Sequence, residues 1–329
     1  MGANDGCGGG GGGGSLRALL KTKNYPALFF CGWVGNTAKE GAVFAVSHLI
    51  QQLTHSTRLV ELVGAANFAA LALGPICGWI SDRFKRRSVV LVSKCVAVPA
   101  SLLIASCMSL TQRGRLSSTA MLALGYLYTF IMGATFVIDQ TCRKVLVSDT
   151  VAPPLLPTAF AMESVASALS TLFGSQLGGF AIEYLGGHGA YLRMLACFHV
   201  LSGLLAFSVR SSTSTNAAAK LSAAVGIVQQ LREGVDELRR NRAFQSILGV
   251  TIIGNFWFVG PFFPVVHVLA ANLGLSPTLT GSLASARGYG GALAGLMLLA
   301  TAPKRVGVVY WLGIALSSAV MPVRKRSFN

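Results

Sequence analysis

Charge is what this sequence has least of. Asp, Glu, Lys and Arg together make up 12% of its 329 residues, about half of the ~25% usual for a soluble domain. So long a chain with so little charge is read as one whose solvent is lipid. Paired cysteine is missing as well. Cys7, Cys31, Cys77, Cys95, Cys107, Cys142 and Cys197 stand singly, mostly inside apolar runs. Neither a zinc site nor a disulfide framework is supported, and the expected role is that of small buried hydrophobes. The N-terminus, MGANDGCGGGGGGGSLR, has no basic n-region and no apolar h-region, which argues against a signal peptide. Gly6 stands where a myristoylation signal carries Ser or Thr. No Walker A loop occurs, and GGHGAY (Gly186–Tyr191) and RGYGG (Arg287–Gly291) do not complete G-x-G-x-x-G. ATP-driven transport finds no support, and neither a metal nor another cofactor is expected.

What the sequence does have is hydrophobicity: 53% apolar residues and a mean hydropathy of +0.60. A bilayer-spanning helix needs about 20 mostly apolar residues. That ruler places helices near Tyr25–Ile50, Val60–Ile80, Ser88–Leu110, Thr119–Ile138, Ala159–Ile182, Tyr191–Val209, Phe244–Ala270, Thr278–Leu299 and Val306–Val320. The fold class is therefore all-α and polytopic, with nine spans and the lipid bilayer as partner. The net charge of +16 does not indicate nucleic acid, because the bases form short clusters between apolar segments rather than an arm or stripe. With the N-terminus inside, the clusters at Arg17–Lys23, Arg83–Arg87, Arg143–Lys144, Arg210–Arg242 and Lys304–Arg305 all fall on the cytoplasmic side. Only Arg58, Arg113, Arg115 and Arg193 fall opposite before the last span, so the positive-inside rule favours a cytoplasmic N-terminus. Arg324, Lys325 and Arg326, after the ninth span, break the pattern.

Four regions follow. Residues 1–24 read as a disordered, Gly-rich cytoplasmic tail, and residues 25–210 as a six-helix bundle. Residues 211–243 form a cytoplasmic linker, and residues 244–329 an incomplete second bundle of three helices. Within the linker, Leu221, Val225, Val228, Leu231, Val235 and Leu238 recur at helical spacing opposite a polar face. This predicts an amphipathic helix on the membrane surface.

GWISDRFKRR (Gly78–Arg87) packs one acid and four bases between two apolar spans. Gly78, Asp82, Arg83, Arg86 and Arg87 resemble the signature between helices 2 and 3 of the major facilitator superfamily, with Lys85 where many members carry a second glycine. TCRKVLVSDTV (Thr141–Val151) is similar to the Pro-Ala-Arg-Gln-Ala-Leu-Leu-Pro-Asp-Leu-Val segment of the branch of siderophore (enterobactin) and macrolide exporters, with Thr141 replacing the proline. FGSQLGG (Phe173–Gly179) resembles its helix-5 Gly-Pro-x-x-Gly-Gly, with Ser175 for the proline, and LREGVDELRRN its segment before helix 7. The resemblance runs from about Asn24 to Leu316. It implies two six-helix bundles built from inverted three-helix repeats around a central cavity, of which nine helices of the usual twelve are read here. The chain is accordingly expected to be truncated at its C-terminal end. The resemblance also implies that Asp82 latches the bundles by meeting the N-terminal end of an eleventh helix, which the sequence does not contain.

Charge inside a span is a pointer to function, since it costs roughly 2.5–3.5 kcal/mol at a helix centre on insertion scales. Glu40 in helix 1 and Arg287 in helix 8 are candidates for a substrate or proton site, together with Asn255 and Trp257 on helix 7. Glu40 alternatively pairs with Lys39 or another base, and Arg287 with an acid of the first bundle. Lys39 and Glu40 lie about 100° apart on their helix, so both are not expected to face one cavity. Lys94 and Glu163 sit about 9 Å inside the cytoplasmic ends of their helices and are expected to be structural, Lys94 by snorkelling. Asp139 and Arg143, spaced i,i+4 at the end of helix 4, either pair with each other or join the Asp82 cluster as part of the gating motif. His48, His199 and His267 read as packing residues. Gly74-x-x-x-Gly78, Gly174-x-x-x-Gly178 and Gly291-x-x-x-Gly295 read as helix-packing motifs.

The expectation from all of this is a secondary active transporter for small amphipathic molecules, an exporter by resemblance and coupled to protons, working by alternating access. The alternative is a transport-incompetent product or a partner of a full-length relative. An intramembrane enzyme is disfavoured by the lack of any catalytic constellation.

Overall fold

A backbone surrounded by lipid must satisfy its own N–H and C=O groups, which leaves the helix as the economical solution for a chain of this composition. The computed structural model describes residues 12–209, 227–254 and 260–301, and all regular structure among them is helical. The helices are α1 (Gly12–Lys21), α2 (Tyr25–Thr54), α3 (Thr57–Ala69), α4 (Gly74–Arg83), α5 (Arg86–Gln112), α6 (Ser118–Thr150), α7 (Leu156–Tyr184), α8 (Gly187–Ser208), α9 (Ile227–Arg240), α10 (Arg242–Gly254), α11 (Gly260–Asn272) and α12 (Pro277–Thr301). Among the described residues, five segments are long and apolar enough to cross a membrane: Thr57–Arg83, Arg86–Thr111, Ser118–Thr150, Pro153–Tyr184 and Gly187–Ser208. Helices α2 and α12 have the length, at 30 and 25 residues, but charge and small polar residues interrupt them.

Several boundaries differ from the sequence expectation, each for a local reason. The tail expected to be disordered to residue 24 holds α1, whose Leu19 is fully buried in a cluster with Tyr25, Leu28 and Val147. The second span is broken by a 3-10 turn at Ala70–Leu73. Pro75, with no N–H to give to the Leu71 carbonyl, loosens the helix there. The fourth span runs on from Ile138 to Thr150 before Pro153 follows. It therefore carries Asp139 and Arg143 within its body rather than at its end. The linker helix ends at Arg240, and the Asn241 side chain caps α10 by accepting from Phe244 N–H at 3.2 Å. The seventh expected span corresponds to α10 and α11. Asn255 and Trp257 lie between them, outside the described residues, as do the ninth expected span, the Arg324–Arg326 cluster and the first part of the linker helix.

Helix α2 is the hub. It packs against α6, α7 and α8 and contributes Ala38, Val43, Phe44 and Ile50 to a core completed by Met121, Tyr191 and Leu195. Helix α12 lies along α7 for most of its length. A Cβ on Gly281 would sit 2.5 Å from the Ser175 carbonyl oxygen, and one on Gly288 2.6 Å from Leu172 N, so only glycine permits this approach. Gly174 and Gly291 are likewise in close contacts, whereas Gly74 and Gly78 face open space among the described residues. The packing expected at that last pair is not made there. Short turns make successive long helices antiparallel. One face of the molecule therefore carries the α4–α5 turn with Asp82, and the other carries the α7–α8 turn with Glu183.

Candidate functional site

At mid-length of α2 and α12, two cations converge on one carboxylate. Glu40 Oε1 accepts from Lys39 Nζ at 2.9 Å, and Glu40 Oε2 accepts from Arg287 Nη2 at 3.2 Å. Adjacent positions on α2 were expected to diverge, and their Cβ atoms do. The flexible lysine stem closes the gap, with its ammonium 4.6 Å from the centre of the Phe136 ring. Gly174 lets α7 approach this turn, since a Cβ there would sit 3.0 Å from Glu40 Cβ. Lys39 and Glu40 are largely buried, but the Arg287 side chain is 29% exposed. The site thus joins two helices far apart in sequence and stays open on its arginine side.

A second set of charges lies inside the α5–α6–α7 packing. Lys94 Nζ is 3.1 Å from Asp139 Oδ1, Arg143 Nε is 3.6 Å from Asp139 Oδ2, and Arg143 also pairs with Glu163. Arg143 Nη2 donates to Gln140 Oε1 at 2.8 Å. None of the four charged side chains is more than 9% exposed. Lys94 therefore does not snorkel, and Asp139 and Arg143 do not join the Asp82 turn. Mutual neutralisation lets α6 carry both of them inside the protein. Glycines on α2 make the room: the Arg143 guanidinium lies against Gly32, and a Cβ on Gly35 would be 2.7 Å from Lys94 Nζ. Buried His199 lines a cavity of about 10 Å³ with Lys39, Lys94 and Asp139, close to the room one water needs.

The Asp82 turn is built by its bases. Arg83 stacks on the Trp79 ring at 5.2 Å, and Arg86 pairs with Asp149 of α6 at 2.7 Å. Arg87 donates to the Phe207 carbonyl and lies 4.8 Å from that residue's ring centre. The turn is thereby tied to the ends of α6 and α8. Asp82 itself is exposed and makes no ion pair among the described residues. Helix α9 runs against α4 on this face.

On the opposite face the structure assembles groups that sequence reasoning missed. Glu183, at the end of α7, accepts from Thr278 N–H at 2.9 Å, so a carboxylate meets the positive N-terminal end of α12. His48 Nδ1 and His188 Nε2 are 2.9 Å apart. His267 of α11 stands edge-on to His48, with ring centres 6.2 Å apart, and Phe44 touches both. Three helices supply these imidazoles, so no sequence spacing announces them. The one local signal is the glycine pair before His188, at φ 101° and 81°, which turns the chain so that His188 enters the core. Among the described residues no group of three or more His, Cys, Asp or Glu side chains is arranged to hold a metal ion.

A sequence profile of the Major Facilitator Superfamily matches residues 28–323. No curated protein matches the chain significantly.

Proposed function

Since this chain belongs to the Major Facilitator Superfamily, a family of secondary transporters that carry small molecules across membranes, we propose that it exports small amphipathic molecules in exchange for protons. The observation that carries this reading is the Lys39–Glu40–Arg287 junction, which ties α2 to α12 at mid-depth. The membrane orientation that fits has the Asp82 face and the N-terminus in the cytoplasm, by the distribution of bases. Helices α2–α8 then form one bundle, and α10–α12 belong to a second that rocks against it. The sequence likeness to siderophore and macrolide exporters supports the direction of transport. Asp82, with the turn fixed by Arg83, Arg86 and Arg87, serves as the gating element of the cytoplasmic face, and the buried Asp139–Arg143 pair holds the helix on which Asp149 sits.

Exchange in opposite directions requires that proton and solute compete. An amphipathic solute with a donor group, such as a protonated amine, displaces Lys39 or Arg287 from Glu40, and its acceptor groups turn to the released Arg287. A proton on Glu40 removes the acceptor and expels the solute. Solute binding is therefore present while Glu40 is ionised and is lost as pH falls and Glu40 becomes protonated. An apolar crevice of about 140 Å³ lined by Trp33, Thr37, Phe173 and Phe198 adjoins this turn of α2 and suits the hydrophobic part of such a solute. The test is export of radiolabelled erythromycin from vesicles containing the full chain, with and without a pH gradient. Gradient-driven export is expected; no gradient-dependent movement of erythromycin or of a panel of amphipathic dyes sinks the reading.

A further inference from the structure

We propose that His48, His188 and His267 form a proton-binding site on the Glu183 face, and that loading it separates α11 from α2 and opens that face. The three rings come from the end of α2, the start of α8 and the middle of α11, and each is less than 9% exposed. At 2.9 Å, His48 and His188 share a single proton between ring nitrogens, one donating and the other accepting. One further proton leaves an imidazolium donating to a neutral imidazole; a second removes the acceptor and places two positive imidazoles in contact, and another on His267 adds a third cation within the same cluster. Among the described residues His267 Nδ1 has no hydrogen-bond partner, so none of them holds the charged form of the ring in place in this arrangement.

Among the described residues the surroundings supply no counter-charge: α5 carries no acid, and the α6 acids Asp139 and Asp149 are engaged with Lys94, Arg143 and Arg86. On α2 the nearest acid in sequence is Glu40, two turns away and engaged with Lys39 and Arg287. Helix α3, packed against α2 and α11, offers Arg58 and Glu61, both exposed. On α7, Glu183 is engaged with Thr278 N–H. Helix α8 contributes exposed Arg193 and buried Tyr191, whose hydroxyl donates to the Gly174 carbonyl. Helix α11 carries no Asp, Glu, Lys or Arg, and on α12 Arg287 lies nearly three turns from the end that reaches this face. The closed contact is thus built for neutral imidazoles, and an imidazole released from it into water changes charge between about pH 5 and 8. An acidic outer compartment would open this face and admit protons toward Glu40.

The site draws its biological role from the transporter reading, but its test contains no solute. Spin labels carried on unnatural amino acids at Gln52 and Leu273, exposed positions beside the ends of α2 and α11, report the distance across this face in the full chain in nanodiscs. The expected result is a shift from a short to a longer distance between pH 8 and pH 5, lost in His48→Asn/His188→Asn/His267→Asn. If that variant does not fold, ¹⁵N-histidine solid-state NMR of the parent replaces it. The His48–His188 N–H···N signal should then vanish over the same pH interval as the distance shift. A distance that does not change with pH overturns the proposal. So does a shift that survives in the triple variant, or one that leaves the N–H···N signal intact. A pH-dependent distance with no erythromycin export would sink the transporter reading and leave this site standing.

Discussion

Two groups of intramembrane charge differ in almost every respect that matters. The Lys94–Asp139–Arg143–Glu163 network is matched in sign, closed to solvent and drawn from helices already packed together. The Lys39–Glu40–Arg287 junction sets two cations on one acid among the described residues, is partly exposed on Arg287, and joins helices far apart in sequence. A charge-balanced network that solvent does not reach reads as scaffold. A junction that is partly open to solvent and joins the two proposed bundles can trade one partner for another, which is what a transport cycle requires. Depth in the membrane alone does not distinguish them; exposure and the identity of the partners do.

The sharpest way to break this comparison is to unbalance the scaffold. Asp139→Asn leaves Lys94 and Arg143 competing for what remains and should cost about 3–5 kcal/mol of stability, read as a large fall in the thermal midpoint in detergent. Lys94→Met/Asp139→Leu should recover most of that loss, because Arg143 keeps Glu163. At the junction the pattern reverses. Arg287→Ala should change stability by only about 1 kcal/mol, yet weaken erythromycin binding roughly tenfold or more, the worth of a charge-assisted hydrogen bond. Equal losses of stability at the two sites would erase the distinction. Glu183→Ala removes the carboxylate at the N-terminus of α12 and should reveal a minor long-distance population between Gln52 and Leu273 at pH 8. Arg86→Ala breaks a partly exposed pair with Asp149 and should shift the thermal midpoint least, by the equivalent of about 0–1 kcal/mol.

The fold class was legible in the sequence because lipid imposes a period and a length. The spans at Ser88–Leu110 and Tyr191–Val209 correspond closely to α5 and α8. The extra three turns of α6 were not legible, since they depend on Lys94 and Glu163 meeting Asp139 and Arg143 from other helices. Glu40 and Arg287 stood out as charges inside apolar runs, and pairing with Lys39 and with an acid of the first bundle were among the readings weighed for them. Which charges are paired with which is set by the glycines at positions 32, 35 and 174, whose role shows only in three dimensions. The histidine cluster was invisible for the same reason. His188 sits in a glycine-rich stretch that drew attention as a failed phosphate loop, and its partner His48 lies 140 residues away.

The central claim is that Glu40 is the group for which proton and solute compete. Proton movement into or out of vesicles on addition of erythromycin, followed with trapped pyranine at matched starting pH, tests it most directly. The parent protein should show solute-driven proton flux, and Glu40→Gln should show none while remaining folded. Solute-driven proton flux of parental size in Glu40→Gln would contradict the account.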